Sequence, residues 1–141
     1  MRVLLIEDDN ATARSIELTL RSEGIVCDIA EKGEEGLEIS KLYSHYDLVI
    51  LDLTLPGMDG LEVCEAIRER QDIPIIISSA RSDVSDKVKA LELGADDYLP
   101  KPFSSEQLTR AVRAQLKKRE MLEDRCQVVK RSLHSDLFFV L

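Results

Sequence analysis

The chain has 141 residues, which suits one domain and is too short for two of ordinary size. Hydrophobic residues make up 44% of it and charged residues 33%, as expected of a globular domain with a core. The net charge of −8 is uneven, because residues 1–116 carry −10 and residues 117–141 carry +2. Such an acidic body argues against direct binding of nucleic acid, which needs clustered lysine and arginine.

Targeting signals and metal-binding cysteines are not expected either. No apolar run approaches the roughly 18 residues of a membrane span, and the amino terminus turns acidic too early for a signal peptide. Three separated cysteines without a CxxC pair predict a cytoplasmic protein without disulfides or zinc, with Cys27 and Cys64 as small core residues. His45 and His134 are predicted to be structural or exposed.

Short apolar runs alternate with amphipathic stretches along the chain, in the order strand then helix, five times. Strands are predicted at residues 3–6, 25–30, 48–51, 75–77 and 97–99. Parallel strands joined by right-handed crossovers bury such runs between helices on both faces. The sequence therefore predicts an α/β fold with a five-stranded parallel sheet.

The first two helices are predicted at residues 10–23 and 34–43. Asn10 can cap the first helix and Gly24 can end it. Its inner face would hold Ala13, Ile16 and Leu20. In the second helix, Leu37 would face the sheet.

The last three helices show apolar stripes or caps. Leu61, Cys64 and Ile67 mark the third helix, and Val84, Val88 and Leu91 lie at i, i+4 and i+7 in the fourth, which Gly94 ends. An S-x-x-Q capping box predicts that the fifth helix starts after Ser104.

Polar residues follow the predicted strands at the edge where ligands bind in open α/β sheets. Glu7, Asp8 and Asp9 follow the first strand, Asp52 the third, Ser78 and Ser79 the fourth and Lys101 the fifth. Converging carboxylates repel each other unless a cation lies among them, and hard oxygen ligands suit Mg²⁺. A metal, a hydroxyl and a lysine around one aspartate form a binding site for a phosphoryl group, with Asp52 as its acceptor.

Each of these residues also has an ordinary structural interpretation. Asp9 can cap the following helix, an aspartate after a buried strand is common, and Lys101 can be solvated. The coincidence of all four groups at successive strand ends favours the functional interpretation.

The sequence closely resembles the receiver domain of bacterial two-component response regulators, especially OmpR- and CtrA-type receivers. The resemblance rests on four segments, namely residues 3–9, 47–60, 77–80 and 94–103. It implies the flavodoxin-like fold with strand order 2-1-3-4-5.

The resemblance also implies a role for each site residue. Glu7, Asp8, Asp52 and the backbone carbonyl of Thr54 would hold Mg²⁺, with Mn²⁺ as a substitute. Asp52 would accept the phosphoryl group. Lys101 would contact the phosphoryl group, Ser79 would supply the switch hydroxyl and Tyr98 would be the switch aromatic residue. The Lys101–Pro102 bond is expected to be cis.

The implied function is that of a signalling module rather than an enzyme. A histidine kinase or phosphotransferase would phosphorylate Asp52, and the surface formed by the fourth helix, fifth strand and fifth helix would change and control an output or partner. Only self-phosphorylation and slow autodephosphorylation are expected as activities.

The charge pairs typical of dimerisation through that surface are incomplete in this sequence. Lys87 and Asp97 stand at positions of the usual charge pairs, whereas Gln107 and Ala111 replace an acidic residue and an arginine. Surface ion pairs are individually weak, so a homodimer through this surface or through the C-terminal helix is compatible with the loss of two pairs.

We assign residues 1–118 to the receiver domain and residues 119–141 to a helical extension or the start of a linker. Leu122, Cys126, Val129 and Leu133 form a short heptad stripe there, which can serve a solvated helix, a dimer or a signalling helix. The remaining residues are too few for a winged-helix output domain.

Two other functions compete with the phosphoacceptor hypothesis. A metal-dependent phosphohydrolase with Asp52 as nucleophile would need a second carboxylate two residues on, where this chain has Thr54. A degenerate receiver that acts only by protein contact would not need Glu7, Asp8, Ser79 and Lys101.

Overall fold

The computed structural model describes residues 1–43, 45–80 and 84–121. Five strands form one sheet: β1 (Arg2–Ile6), β2 (Val26–Ala30), β3 (Leu48–Asp52), β4 (Ile75–Ser79) and β5 (Asp97–Pro100). Every neighbouring pair is parallel and the order is β2-β1-β3-β4-β5, which confirms the predicted topology.

Helices alternate with these strands. They are α1 (Asn10–Ser22), α2 (Gly33–Leu42), α3 (Gly60–Arg70), α4 (Val84–Glu92) and a fifth, α5, over residues 105–121. Among the described helices, none combines the length and apolar character that a bilayer crossing requires.

Alternation along the strands divides the core into two clusters, one on each face of the sheet. Leu51 of β3 and Ile77 of β4 pack with α3 residues such as Cys64 in the first cluster. Ile50 and Ile76 pack with side chains of α1 and α5 in the second cluster. Residues two positions apart on a strand therefore face the same helices.

Most predicted helix and strand boundaries agree with the structure to within two residues. The predicted helix caps can be compared for α5 and α1. The capping box of α5 is confirmed, because the N–H of Gln107 donates to Ser104 Oγ at 3.1 Å and the N–H of Ser104 donates to Gln107 Oε1 at 2.8 Å. Of the two residues that the sequence offers as the cap of α1, Asn10 is wrong and Asp9 is confirmed. Asp9 caps α1, since its carboxylate accepts from the N–H of Thr12 at 3.1 Å.

The buried face of α4 is not the one that carries its apolar stripe. Val84, Val88 and Leu91 are 72%, 47% and 44% exposed, and Ala90 is the buried residue of the helix. The i, i+4, i+7 spacing correctly indicates a helix. It does not indicate which side of that helix meets the sheet, and here the apolar stripe points outward.

The cysteine and histidine predictions can be compared where the chain is described. Cys64 is buried, and this burial raises the pKa of its thiol to about 11. Cys27 is half-buried against the second core cluster, so the buried position predicted for it is met only in part, whereas His45 is exposed, as predicted. His134 and the heptad stripe with Cys126 lie outside the described residues.

Candidate functional site

The candidate site lies at the carboxyl edge of the sheet, where four strands deliver polar side chains. Asp52 is the last residue of β3, and Ser79 is the last residue of β4. Glu7 and Asp8 follow β1, and Lys101 follows β5. The parallel arrangement brings these chain segments to one edge because all strands end on the same side.

Three carboxylates form the centre of the site. One carboxylate oxygen from each of Glu7, Asp8 and Asp52 lies within 4.8 Å of the other two. Glu7 is 2% exposed and Asp52 5% exposed, whereas Asp8 is open to solvent. The cluster is therefore a buried acidic pair with a third carboxylate at its mouth.

Lys101 supplies positive charge to this cluster. Its Nζ donates a hydrogen bond to Glu7 Oε1 and lies 3.7 Å from Asp52 Oδ1. The backbone places the side chain, because the N–H of Lys101 donates to the carbonyl of Ser79 at 2.8 Å. The Lys101–Pro102 bond is cis, as the resemblance implied.

The electrostatics of Glu7 differ from those of an ordinary surface glutamate. Burial raises the pKa of its carboxyl group, and the neighbouring Asp52 raises this pKa further, while the bond from Lys101 opposes both. Its second oxygen, Oε2, is buried without a hydrogen-bond partner in the described part of the chain. One lysine therefore cannot neutralise the negative charge of all three carboxylates in the cluster.

This donor set fits a divalent cation. The ligand atoms are hard carboxylate oxygens, the ligand type that Mg²⁺ takes, and Mg²⁺ binds through few protein ligands while keeping several waters. A cation among the three carboxylates would remove their repulsion and give the orphaned oxygen of Glu7 a partner. Receiver domains bind Mg²⁺ as a class, and the cluster could hold such an ion.

The other predicted residues are arranged around this centre. The backbone N–H of Thr54 donates to Asp52 Oδ1 at 3.3 Å, and the Thr54 side chain is exposed. Ser79 is fully buried at the end of β4. Tyr98 is 9% exposed and packs in the first core cluster on β5, so the ring already lies inside the protein.

Two features of the sheet edges were not predicted. Ser78 is the residue paired with Asp52 in the sheet register, and it is as buried as Ser79. At the opposite, amino edge, Arg68 of α3 binds the segment before β5, with Nη2 donating to the carbonyl of Gly94 at 2.7 Å and to Asp96 at 2.8 Å. The sequence places Ser78 at the end of the fourth strand but does not give its pairing with Asp52, and it carries no signal for Arg68.

The chain belongs to the family of response regulator receiver domains, whose family model matches residues 3–113. It is a signalling module of two-component systems, a class in which histidine kinases phosphorylate the receiver.

Individual relatives support this assignment. The response regulator ArlR of Staphylococcus saprophyticus is 48% identical over 117 residues, which cover 83% of this chain and 53% of ArlR. The chain thus spans about half the length of the curated relatives it matches.

Solved structures agree with the fold. A CheY-like receiver domain from Methanospirillum hungatei superposes with a TM-score of 0.80 at 30% identity, over 85% of this chain and 96% of that one. The receiver domain of Klebsiella pneumoniae RstA in a BeF3-activated form gives 0.78 at 27% identity, over 82% and 98%.

Proposed function

We propose that Asp52 is the phosphoacceptor of this receiver, and that a phosphohistidine on a kinase or phosphotransferase is its donor. The observation that carries the proposal is the convergence of Glu7, Asp8, Asp52 and Lys101 at one edge of the sheet. An Asp52 carboxylate oxygen attacks phosphorus, the phosphorus–nitrogen bond breaks, and the imidazole keeps the bonding electron pair.

Glu7, Asp8, Asp52 and the carbonyl of Thr54 would hold Mg²⁺ or Mn²⁺, which supplies charge neutralisation for the incoming phosphoryl oxygens. Lys101 contacts an oxygen of the bound phosphoryl group. For this the ammonium group leaves Glu7 and moves toward the new anion, which carries about −1.5 to −2 of charge where the Asp52 carboxylate carried −1. The 3.7 Å separation of Lys101 Nζ from Asp52 Oδ1 makes that movement short.

Ser79 and Tyr98 are the proposed switch. The Ser79 hydroxyl turns toward the phosphoryl group, and Tyr98 occupies the space that it leaves. Both are buried on the adjacent strands β4 and β5, so a shift of one changes the packing of the other. The proposed outcome is a population shift at the surface of α4, β5 and α5, with only self-phosphorylation and slow autodephosphorylation as activities.

Phosphorylation can be tested with a small-molecule phosphodonor and Mg²⁺, read by intact mass. We expect the wild-type chain to gain one phosphoryl group and Asp52→Asn to gain none. Asp28→Asn is the matched control, because Asp28 is a half-buried residue in the middle of the edge strand β2, away from the site, where it forms an ion pair with Arg2. An adduct that persists in Asp52→Asn, or none in the wild type, would contradict the proposal.

A homodimer is proposed through α4, β5 and α5, with the C-terminal extension as a second contact. The outward stripe of Val84, Val88 and Leu91 supports it, because apolar patches of this kind often mark interfaces. Arg113 does not replace the missing charge pairs. It forms an ion pair with Glu23, beyond the carboxyl end of α1.

Particle mass in solution, with and without the phosphodonor, tests the dimer. Val88→Asp should weaken self-association, whereas Leu18→Asp, at a 50% exposed position of α1, should not. Removal of residues 119–141 separates the contribution of the extension. Equal behaviour of the two aspartate variants would place any dimer elsewhere.

A further inference from the structure

The amino end of the sheet carries most of the exposed apolar side chains outside α4. Among the described residues, nine large apolar side chains are exposed, and three of them form the α4 stripe. Five others lie where β1 and β2 begin and where α2 and α5 end, namely Met1, Val26, Leu42, Tyr43 and Met121. Single exposed apolar residues are ordinary, whereas apolar residues gathered at one end of a molecule indicate a contact surface.

A groove at this end lies between the end of α1 and the last turns of α5. Its volume is about 470 Å³, and its apolar lining consists of Met1, Ile25 and Leu116. Ile25 and Leu116 belong to the second core cluster, whereas Met1 is 62% exposed. The groove therefore opens the edge of the core to solvent, with room for apolar side chains from another segment.

The rim of this groove is charged, and one of its cations lacks a partner. Glu23, beyond the end of α1, and Arg113 of α5 form an ion pair at the rim. Lys117, one turn further along α5, also lines the groove. Within the part of the chain that the structure describes, no carboxylate pairs with Lys117. A segment that enters the groove can therefore present a carboxylate to this lysine.

The chain itself continues from α5 beside the groove. Glu120 lines the groove, and Arg119 holds the end of the helix in place by donating to the carbonyl of Asp47 at 2.9 Å. Further along the sequence, Asp136 precedes five consecutive apolar residues, 137–141, which include two of the three phenylalanines of the chain. The connection over residues 122–136 spans about 50 Å when extended, several times the width of a helix, so this run can reach the groove.

We propose that residues 136–141 dock in the amino-end groove of their own chain. Their apolar side chains pack on Met1, Ile25 and Leu116, which removes apolar surface of both partners from water. Asp136 lies beside Lys117 at the rim. A tethered segment has an effective concentration of about 1 mM, so at micromolar protein it occupies the groove ahead of a second copy. Docking involves neither Asp52 nor its metal ligands, and it is independent of phosphorylation.

Fluorescence of a single tryptophan tests the docking in the full chain, which has no tryptophan of its own. Phe139→Trp and, separately, Phe138→Trp provide the probe. At a protein concentration of about 1 μM, we expect acrylamide to quench each probe about fivefold less than the tryptophan of Leu42→Trp, because quenching follows the undocked fraction. Leu42 is the reference position, since it is 75% exposed.

Charge reversal at the rim tests the location. In the Phe139→Trp chain, Lys117→Glu places a second negative charge beside Asp136 and should raise the quenching about threefold. Adding Asp136→Lys to that variant should restore the protection. Lys118→Glu is the matched control, because Lys118 is the next residue of α5 and is exposed but does not line the groove.

Three results would overturn the docking. Both probes could be quenched as strongly as the tryptophan of Leu42→Trp, which would mean that the run stays in solvent. Equal quenching in Lys117→Glu and Lys118→Glu would place the run away from this rim. Protection that appears only as the protein concentration rises would assign the contact to a second copy. Denaturation midpoints of all variants exclude unfolding as the cause of a change.

Discussion

The two ends of the sheet handle polar and charged groups in opposite ways. At the amino end, Arg2 lies 3.6 Å from the Asp28 carboxylate, which also accepts from the Tyr46 hydroxyl at 2.7 Å. The N–H of Arg2 donates to Asp47 at 2.8 Å, and Arg119 of α5 donates to the carbonyls of Tyr46 and Asp47 at 3.1 and 2.9 Å. These groups have their partners within the protein.

The carboxyl end lacks this balance. Glu7, Asp8 and Asp52 gather around Lys101, and buried oxygens of Glu7 and Ser78 have no hydrogen-bond partner in the described chain. An unpaired buried polar group costs stability, whereas a fully paired network holds the structure together. The amino end therefore stabilises the fold, whereas the carboxyl end carries polar groups whose partners would come from outside the chain.

The largest expected effect concerns how tightly the backbone is packed behind the site. A Cβ on Gly60 would lie 2.4 Å from the carbonyl oxygen of Asp52 and 2.5 Å from Leu53 Cα. Gly60→Ala must therefore push α3 away from β3, and we expect it to lower the free energy of unfolding by about 3 kcal/mol. Chemical denaturation measures this loss, and the Mg²⁺ response of the variant should shrink because Asp52 moves.

Gly36→Ala is the control for that substitution. Its Cβ would meet the side chain of Ile6 at 2.4 Å rather than backbone, and a side chain can shift by rotation. A smaller loss is expected, partly offset by the better helix propensity of alanine. Equal losses in the free energy of unfolding would show that the backbone contact at Gly60 is no more costly than the side-chain contact at Gly36.

The next largest effect shows whether the three carboxylates bind a metal ion or only form an ion pair with Lys101. With Mg²⁺ at a hundredfold excess over Kd, the wild-type chain should gain about 2.7 kcal/mol in free energy of unfolding, and Glu7→Gln should gain less. Thermal denaturation with Mg²⁺ or with a chelator measures both. Glu38→Gln, on the exposed side of α2, should respond like the wild type.

The pH dependence without metal has a definite sign. The pKa of Glu7 is raised on folding, so the protonated form favours the folded state. Its contribution is fully present below the ordinary value of 4.5 and is lost as the pH rises through the raised pKa. Glu7→Gln should remove that decline and make the metal-free protein more stable at neutral pH. A variant that is destabilised there would show that the pair with Lys101 outweighs the burial of Glu7.

The smallest effect belongs to the amino end. Tyr46→Phe removes the hydroxyl that donates to Asp28, and we expect a loss of about 1 kcal/mol in the free energy of unfolding. Tyr43→Phe, at a position that is 52% exposed, should be nearly neutral. Neither variant should alter the Mg²⁺ response. A changed response in Tyr46→Phe would mean that the two ends of the sheet are coupled.

Several elements were predictable because local patterns determine them. The apolar runs of the strands, the capping box at Ser104 and Gln107, and the turn at Gly94, whose φ is +105°, all follow from neighbouring residues. The outward face of α4 was not predictable, since periodicity places residues on one side of a helix without saying what that side meets. The Asp9 cap depended on whether its side chain or that of Asn10 reached the first turn.

The chemical groups at the ends of the strands follow from the sequence alone, because chain order places Glu7, Asp52, Ser79 and Lys101 at the ends of apolar strand segments. Their electrostatic state depends on the tertiary structure. Burial of Glu7, its bond to Lys101, and the pairing of Ser78 with Asp52 depend on strand register and on the helices packed above. These are contacts between residues far apart in the chain, and local sequence carries no measure of them.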